Sequence, residues 1–451
     1  MTQNQRLRTG YSAETKFLPY LIAVNLTRRC NLKCAHCYLD AGGKEEYATE
    51  ELSTSELQDL FAEIAERAKG TLIVLTGGEP LLRSDINELV TTGNSLGLRM
   101  VLGTNGLGLS LKIAQELKAC GLQGVGISLD NLYPEAHDKF RGVAGAWEKT
   151  LAAVRACRAC GLHVQLHTTV THQNANQIDD FVKFAEKEGV SILNFFFLVC
   201  TGRGQVMSDI SPEQYENVLV RIAELQRNTK SLMIQARCAP HFKRILYQHD
   251  PQSQFTRAQG YDGGGCPAAT HYCRIDPQGN VTPCPYMENV AGNIRDSAFW
   301  KIWDESSLFQ DFRNPILKGR CGSCEFRNLC GGCRARAQER YEDLLAEDPS
   351  CTWQPTEELM SESVPISADL PSGEIDSSVE WTPEAQKRLK RIPIFLRGMI
   401  RKRLEEKALK LTSGLPENAV ITPDFMAEHR QQREQELGIK FEETNLTRSL
   451  S

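Results

Sequence analysis

Three cysteines crowd into eight residues near the start of the chain, in the run Cys30-Asn31-Leu32-Lys33-Cys34-Ala35-His36-Cys37. They come just after an apolar run, Leu21-Ile22-Ala23-Val24. Three thiolates this close can hold three corners of a cubane iron–sulfur cluster. A cubane has four irons, so one iron is left open, as a catalytic metal site keeps one position free. The fold must therefore carry this loop at the end of its first strand, ready for chemistry at the open iron. Half of a zinc site is the alternative, but zinc wants four closed ligands and no fourth lies adjacent.

The chain has 451 residues, which suggests two or three domains, and 41% of them are hydrophobic, an ordinary globular share. A net charge of −5 argues against nucleic acid as a partner. The first residues, Met1-Thr2-Gln3-Asn4-Gln5-Arg6, are polar and form no signal core, and no apolar stretch is long enough to span a bilayer. Sixteen cysteines without a secretion signal point to a reducing, cytoplasmic setting in which thiols bind metal. Most fall in two clusters, one at each end of a cysteine-poor middle.

From 21 to about 200 the chain alternates apolar runs with amphipathic segments. Runs at 21–26, 72–75, 99–103, 124–129, 164–170 and 192–199 read as strands; 55–69 and 146–160 read as helices, the first capped by Thr54 or Ser55 and ended by Gly70. Such alternation means βα units, a parallel sheet and a partial (β/α)6 TIM-like barrel with its site at the C-terminal strand ends. The expected organisation is an N-terminal extension (1–20), the barrel (21–235) and a cysteine-rich auxiliary domain (236–352). An acidic linker (353–380), a small helical domain (381–436) and a tail (437–451) follow. The auxiliary domain, with little helical period, is expected to be stapled by metal rather than by a large core.

The spacing C-x3-C-x2-C, followed one strand later by Thr76-Gly77-Gly78-Glu79-Pro80, resembles the radical SAM (S-adenosylmethionine) superfamily across roughly 20–200. The resemblance makes Cys30, Cys34 and Cys37 the ligands of a SAM-binding [4Fe-4S] cluster. His36 then stands where the family usually places an aromatic beside the adenine. Gly77, Gly78 and Glu79 match the motif that receives the SAM amino group: glycines admit close backbone approach and a carboxylate accepts from an ammonium. Asn105, Ser128, Asp130 and Thr168 end later strands and are placed by position around the same bowl. The resemblance implies reductive SAM cleavage to a 5′-deoxyadenosyl radical, with a reduced ferredoxin or flavodoxin as electron donor.

Cys266, Cys273 and Cys284 precede Cys321-x2-Cys324, Cys330-x2-Cys333 and Cys351. This field resembles the SPASM extension of radical SAM enzymes, which implies one or two auxiliary [4Fe-4S] clusters. By the family pattern Cys266, Cys273, Cys284 and Cys333 hold an inner cluster, and Cys321, Cys324, Cys330 and Cys351 an outer one. Structural zinc is the alternative. Thr201-Gly202-Arg203-Gly204, Cys238-Ala239-Pro240-His241 and Gly265-Cys266-Pro267-Ala268 with Arg274 resemble the tetrapyrrole-maturing subgroup, the enzymes of the siroheme-dependent heme route and of heme d1 synthesis. That implies a tetrapyrrole substrate whose carboxylates want arginines: Arg203, Arg237, Arg244 and Arg274, with Cys238 and His241 nearby. Trp381-Thr382-Pro383-Glu384-Ala385, Ile392-Pro393-Ile394-Phe395-Leu396-Arg397 and Glu405-Glu406-Lys407-Ala408, within a stretch of about fifty residues, resemble the small C-terminal domain of light-independent protochlorophyllide reductase subunits. The competing readings are a SPASM peptide or protein maturase and a non-catalytic iron–sulfur electron carrier.

Overall fold

The structure is a computed structural model and describes residues 17–43, 50–207, 210–229, 231–251, 265–355, 379–390, 401, 404–405, 407–409, 411–412 and 419–437. Ten strands among these form one sheet, in the order β10-β9-β8-β1-β2-β3-β4-β5-β6-β7. Their ranges are β1 Leu21–Asn25, β2 Leu72–Thr76, β3 Arg99–Thr104, β4 Gly124–Ser128, β5 His163–Val170, β6 Ile192–Phe197, β7 Met233–Arg237, β8 Tyr272–Ile275, β9 Asn280–Thr282 and β10 Gly292–Asn293. β1 to β8 pair in parallel; β9 and β10 pair antiparallel at one edge. Helices α1 Thr54–Arg67, α2 Ile86–Ser95, α3 Leu111–Ala119, α4 Pro134–Arg141, α5 Ala146–Ala159, α6 Ile178–Lys187 and α7 Pro212–Asn228 fill the crossovers. The result is a partial, TIM-like barrel.

Period two sorts each strand's side chains between two faces. Ile22, Val24, Ile73, Leu75, Met100, Leu102, Leu166 and Phe195 point to the helices and are at most 1% exposed. α1 answers them with Leu57, Leu60, Phe61 and Ile64 on one buried stripe, each such side chain being worth about 1.5–3 kcal/mol of burial. Its N-cap is Ser53 rather than Thr54 or Ser55: the Ser53 hydroxyl accepts from the Glu56 amide and the Glu56 carboxylate accepts from the Ser53 amide. The helix ends at Ala68, two residues before Gly70. The opposite, inward face turns polar toward the C-terminal strand ends: Asn25 pairs with Thr76; Ser128, His167, Asn194 and Gln235 lie side by side, and Arg237 is the next inward position of β7.

Four expectations change. A seventh barrel strand, β7, closes the far edge, and the auxiliary segment is no separate body. Its strand β8 pairs directly with β1, Ile22 beside Cys273 and Ala23 beside Arg274, and the two segments form one compact unit, Met1–Ile245 with Gly265–Ser363. Nor does that segment depend on metal alone. Helices Phe299–Glu305 and Ser307–Arg313 bury Phe299, Trp300, Trp303, Phe309 and Phe312, and the Arg313 guanidinium lies 4.9 Å over the Trp303 ring. Trp353 belongs here rather than to a linker: its indole N–H donates to Glu325 Oε1 at 3.1 Å.

The second unit comprises Leu246–Gly264 with Val364–Ser451. Within it Glu380–Trp381 pairs in parallel with Val420–Ile421, a strand pair that the helical reading lacks. Trp381, Ala385, Leu404, Ala408, Ile421 and Met426 close a small core of its own. The expected break near Pro393, most of the acidic linker, the first sixteen residues and the tail from 438 lie outside the described residues.

Candidate active site

The three-cysteine loop leaves β1 and is braced from three sides. Beneath it, the Ala35 and Lys33 amides donate to the Phe140 and Arg141 carbonyls at the C-terminus of α4, at 3.0 and 3.2 Å. On a second side the Gly78 and Glu79 amides donate to the Thr27 and Arg29 carbonyls, at 2.7 and 2.9 Å. Gly77 sits at φ +131°, and a Cβ on Gly78 would run into the Arg29 carbonyl oxygen. The two glycines thus let the turn after β2 lie flat on the chain that leads to Cys30. The expectation gave them close approach to a ligand; what they approach here is the protein's own backbone. On the third side the Arg203 amide donates to the Cys37 carbonyl at 3.0 Å.

Each sulfur of the trio accepts weak hydrogen bonds. The Leu32 amide reaches Cys30 Sγ at 3.4 Å, the Ala41 amide reaches Cys37 Sγ at 3.4 Å, and Arg141 Nη1 reaches Cys34 Sγ at 3.6 Å. Donors of this kind tune an iron–sulfur centre. Burial pushes the Cys30 thiol up to about 11 and raises Cys34 too, the latter against the pull of Arg141. Thiols in this setting stay protonated unless a cation takes them. Among the described residues no three His, Cys, Asp or Glu groups close on a single metal ion.

Glu79 is 1% exposed and already holds three donors: Thr104 Oγ1 at 2.7 Å, the Asn105 amide at 2.9 Å and the Leu81 amide at 3.2 Å. Burial pushes its carboxyl up, and those donors oppose the push. Asn105 also reaches Asn31 Oδ1 at 2.8 Å, tying the end of β3 to the cysteine loop. Asp130 pairs with Arg141 in a buried contact and accepts from the Thr169 amide at 2.8 Å. Burial favours its neutral form, yet Arg141 wins and holds the carboxyl below its ordinary range. Arg141 therefore links Asp130 to Cys34. Nothing marked it in the sequence, where an arginine in a last helical turn before Gly142 reads as a charge complementing the helix dipole.

His36 stacks on Phe140 with centroids 4.7 Å apart and planes 12° from parallel, and burial drives it down to about 4, so it is neutral at physiological pH. Its Nδ1, Arg203 Nη2, Arg141 Nε and Thr201 Oγ1 are buried around the loop with no protein hydrogen-bond partner. Buried polar atoms of this kind are ordinarily satisfied, so a polar guest fits here, as do three sulfurs of one donor set. Ser128 faces the bowl from the end of β4. Thr168 does not: the alternation of β5 turns it to the helix side, where its hydroxyl donates to the Leu129 carbonyl at 2.8 Å. His167 and Thr169 hold the inward positions.

The expected substrate arginines separate. Arg203 clamps the cysteine loop, with Nε on the Cys34 carbonyl at 2.9 Å and Nη1 on Asp40 and the Ala41 carbonyl, both at 2.7 Å. Arg244 is buried against Glu216 and lies over Trp353. Arg274 is held by the Pro285 carbonyl at 3.3 Å and by Asp276. Arg237, exposed at the end of β7, reaches Asn194 Oδ1 at 3.0 Å and Gln235 on the inward face. His241 is 1% exposed, 3.3 Å from Asp348, away from the bowl.

The second cysteine field divides. Cys321, Cys324, Cys330 and Cys351 line one cleft of about 390 Å³, counted to its open mouth, with His241 and Asp348 at its wall. The Asp348 and Phe326 amides donate to Cys321 and Cys324 Sγ, each at 3.4 Å. This is a donor set for one fully thiolate-bound cluster. Cys266 and Cys333 lie near Cys284 instead, and Cys284 lies near Tyr286, whose ring meets Tyr38 edge-on at 5.4 Å. Tyr38 follows Cys37 directly, so this aromatic pair connects the first loop with the inner thiols.

Comparison with known proteins follows the same division. The radical SAM superfamily profile matches residues 24–185, that of the iron–sulfur cluster-binding SPASM domain residues 266–333, and that of the proto-chlorophyllide reductase 57 kD subunit residues 381–428. An AdoMet-dependent heme synthase of Methanosarcina barkeri is 38% identical over 75% of this chain and 97% of its own length. The pre-heme d1 synthase of Dinoroseobacter shibae is 33% identical over 72% of this chain and 84% of its own. Among solved structures, Streptococcus suis SuiB bound to S-adenosylmethionine shares the fold, with a TM-score of 0.61 at 17% identity over 74% of this chain and 78% of that one. Three thiols on one braced loop, a buried carboxylate one strand away and these matches together place the chain in the radical SAM family, as an enzyme with a SPASM iron–sulfur segment.

Proposed function

We propose that this enzyme oxidatively modifies a carboxylate-bearing side chain of a siroheme-derived tetrapyrrole. The observation that carries the reading is identity to a heme synthase along almost all of that relative's length; the profile match at 381–428 points to the same class of ligand independently. When bound, cluster and SAM supply a 5′-deoxyadenosyl radical, the hard part of the chemistry. Cys30, Cys34 and Cys37 would hold the cluster. Glu79 would take the SAM ammonium as a charge-assisted acceptor, and neutral His36 would offer a flat face to the adenine.

The remaining tasks fall to the polar inward face. Of the four candidate arginines Arg237 is the exposed one, which supports a role in gripping a substrate carboxylate, since a guanidinium does so bidentately. The outer thiols would carry electrons rather than bind SAM, because a cluster with four protein ligands has no open iron. The test is anaerobic incubation of the reconstituted protein with SAM, a low-potential reductant and siroheme-derived iron tetrapyrroles. The expected result is 5′-deoxyadenosine release above the substrate-free rate, with a matching mass change in the tetrapyrrole. Release that no tetrapyrrole raises would defeat the proposal and turn attention to peptide substrates.

A further inference from the structure

The family pattern assigns Cys273 to the inner auxiliary set, and the sheet register opposes that assignment. In β8 the side chains of Tyr272 and Arg274 point inward, beside Leu21 and Ala23 of β1. Arg274 meets the Pro285 carbonyl, next to Cys284, on that inward side. Cys273 pairs with Ile22 and so points outward, to the helix layer, where it is fully buried and its charged neighbour is Arg313. A thiol on one face of a sheet cannot join sulfurs gathered on the other.

A different cysteine stands on the right side. Cys238 is the residue after β7, held at φ +55°, a left-handed backbone that a residue with a Cβ adopts only under constraint. The constraint is visible: Arg336 donates from Nη1 and Nη2 to the Cys238 carbonyl, at 2.8 and 2.6 Å. Arg336 stands three residues past Cys333, and Tyr286, two residues past Cys284, hydrogen-bonds the Cys238 thiol. Each of the thiols Cys238, Cys266 and Cys284 lies within the electrostatic reach of Cys333, and Cys284 within that of all three others.

We propose that Cys238, in place of Cys273, completes the four-thiolate set of the inner auxiliary cluster with Cys266, Cys284 and Cys333. Cys238 lies outside the segment matched by the SPASM profile. The strained backbone after β7 thus serves to aim its sulfur, and the cluster would bridge the last barrel strand to the auxiliary segment. The inference rests on the iron–sulfur reading of that segment and is independent of the substrate.

The test uses the full-length protein, purified and reconstituted anaerobically, as wild type, Cys238→Ala, Cys238→Ser and Cys273→Ala. Iron and acid-labile sulfide per chain are counted, and electron paramagnetic resonance is recorded on reduced samples with and without SAM. Cys273→Ala is expected to keep the wild-type iron count and spectrum. Cys238→Ala is expected to lose iron from the inner cluster and its signal, while the SAM-dependent signal persists and shows that the barrel is intact. Should that variant fail to fold, Cys238→Ser decides: a shifted auxiliary signal marks a ligand, an unchanged one does not. Wild-type iron and spectrum in Cys238→Ala, or loss of the inner cluster in Cys273→Ala, would overturn the assignment. A wild type without any auxiliary cluster would instead sink the iron–sulfur reading beneath it.

Discussion

Cys34→Ala is expected to abolish SAM cleavage and to remove one cluster's iron while the auxiliary iron stays. Cys30 and Cys37 keep backbone amides on their sulfurs, but two thiolates cannot retain a cubane against solvent. Cys34 is the buried member of the trio, 8% exposed, and the one that Arg141 touches. Its removal leaves Arg141 with Asp130 alone and empties the side of the loop that rests on α4. The auxiliary thiols share no residue with this set, so their iron should survive. Iron counting and deoxyadenosine assays check both halves; equal loss of all clusters would show that the ligand sets are not separate.

Asp348→Ala is the largest expected loss of stability. Asp348 is wholly buried between the two auxiliary thiol groups. Its Oδ2 accepts from the Cys333 amide at 2.6 Å, and Arg336 and His241 lie 3.7 and 3.3 Å away. Burial by itself would push this carboxyl up, but the neighbouring charges and amides hold it below the usual carboxylate range. His241 is driven down to about 4 by its own burial and is uncharged at neutral pH, so Arg336 is the cation that matters. Removing one partner of a buried pair costs about 3–5 kcal/mol, because the other charge is left uncompensated. The loss is measured as a shift in the anaerobic denaturant midpoint. Since the folded carboxyl titrates below the unfolded one, its contribution is complete above the unfolded pKa and fades as pH falls through the folded value. The gap between wild type and variant should therefore close in acid.

Much of the barrel was legible because its strands are apolar on the face that meets the helices. β7 was not: its run Met-Ile-Gln-Ala-Arg is an edge strand with polar inward positions, so little of it looks like a buried strand. The aromatic spacing of Phe299, Trp300, Trp303, Phe309 and Phe312 did carry a helical signal, masked by the cysteine, glycine and proline around it. The cysteine loop and the turn after β2 were legible because their chemistry depends on spacing along the chain. Which face a cysteine takes depends on register instead. From spacing alone Cys273 therefore reads as a ligand, and Cys238 as a residue near the substrate. Arg203 shows the same limit: a conspicuous arginine in a loop reads as a substrate grip, and only its three backbone and carboxylate partners reveal a clamp.

The account stands on one open iron beside Glu79. Its most direct test is electron paramagnetic resonance of the reduced, anaerobically purified protein, recorded before and after SAM is added. A cubane signal that changes shape with SAM in the wild type, and no longer does so in Glu79→Ala, is the predicted result. A protein that carries iron but whose spectrum ignores SAM, or one that holds only colourless metal at Cys30, Cys34 and Cys37, would contradict it.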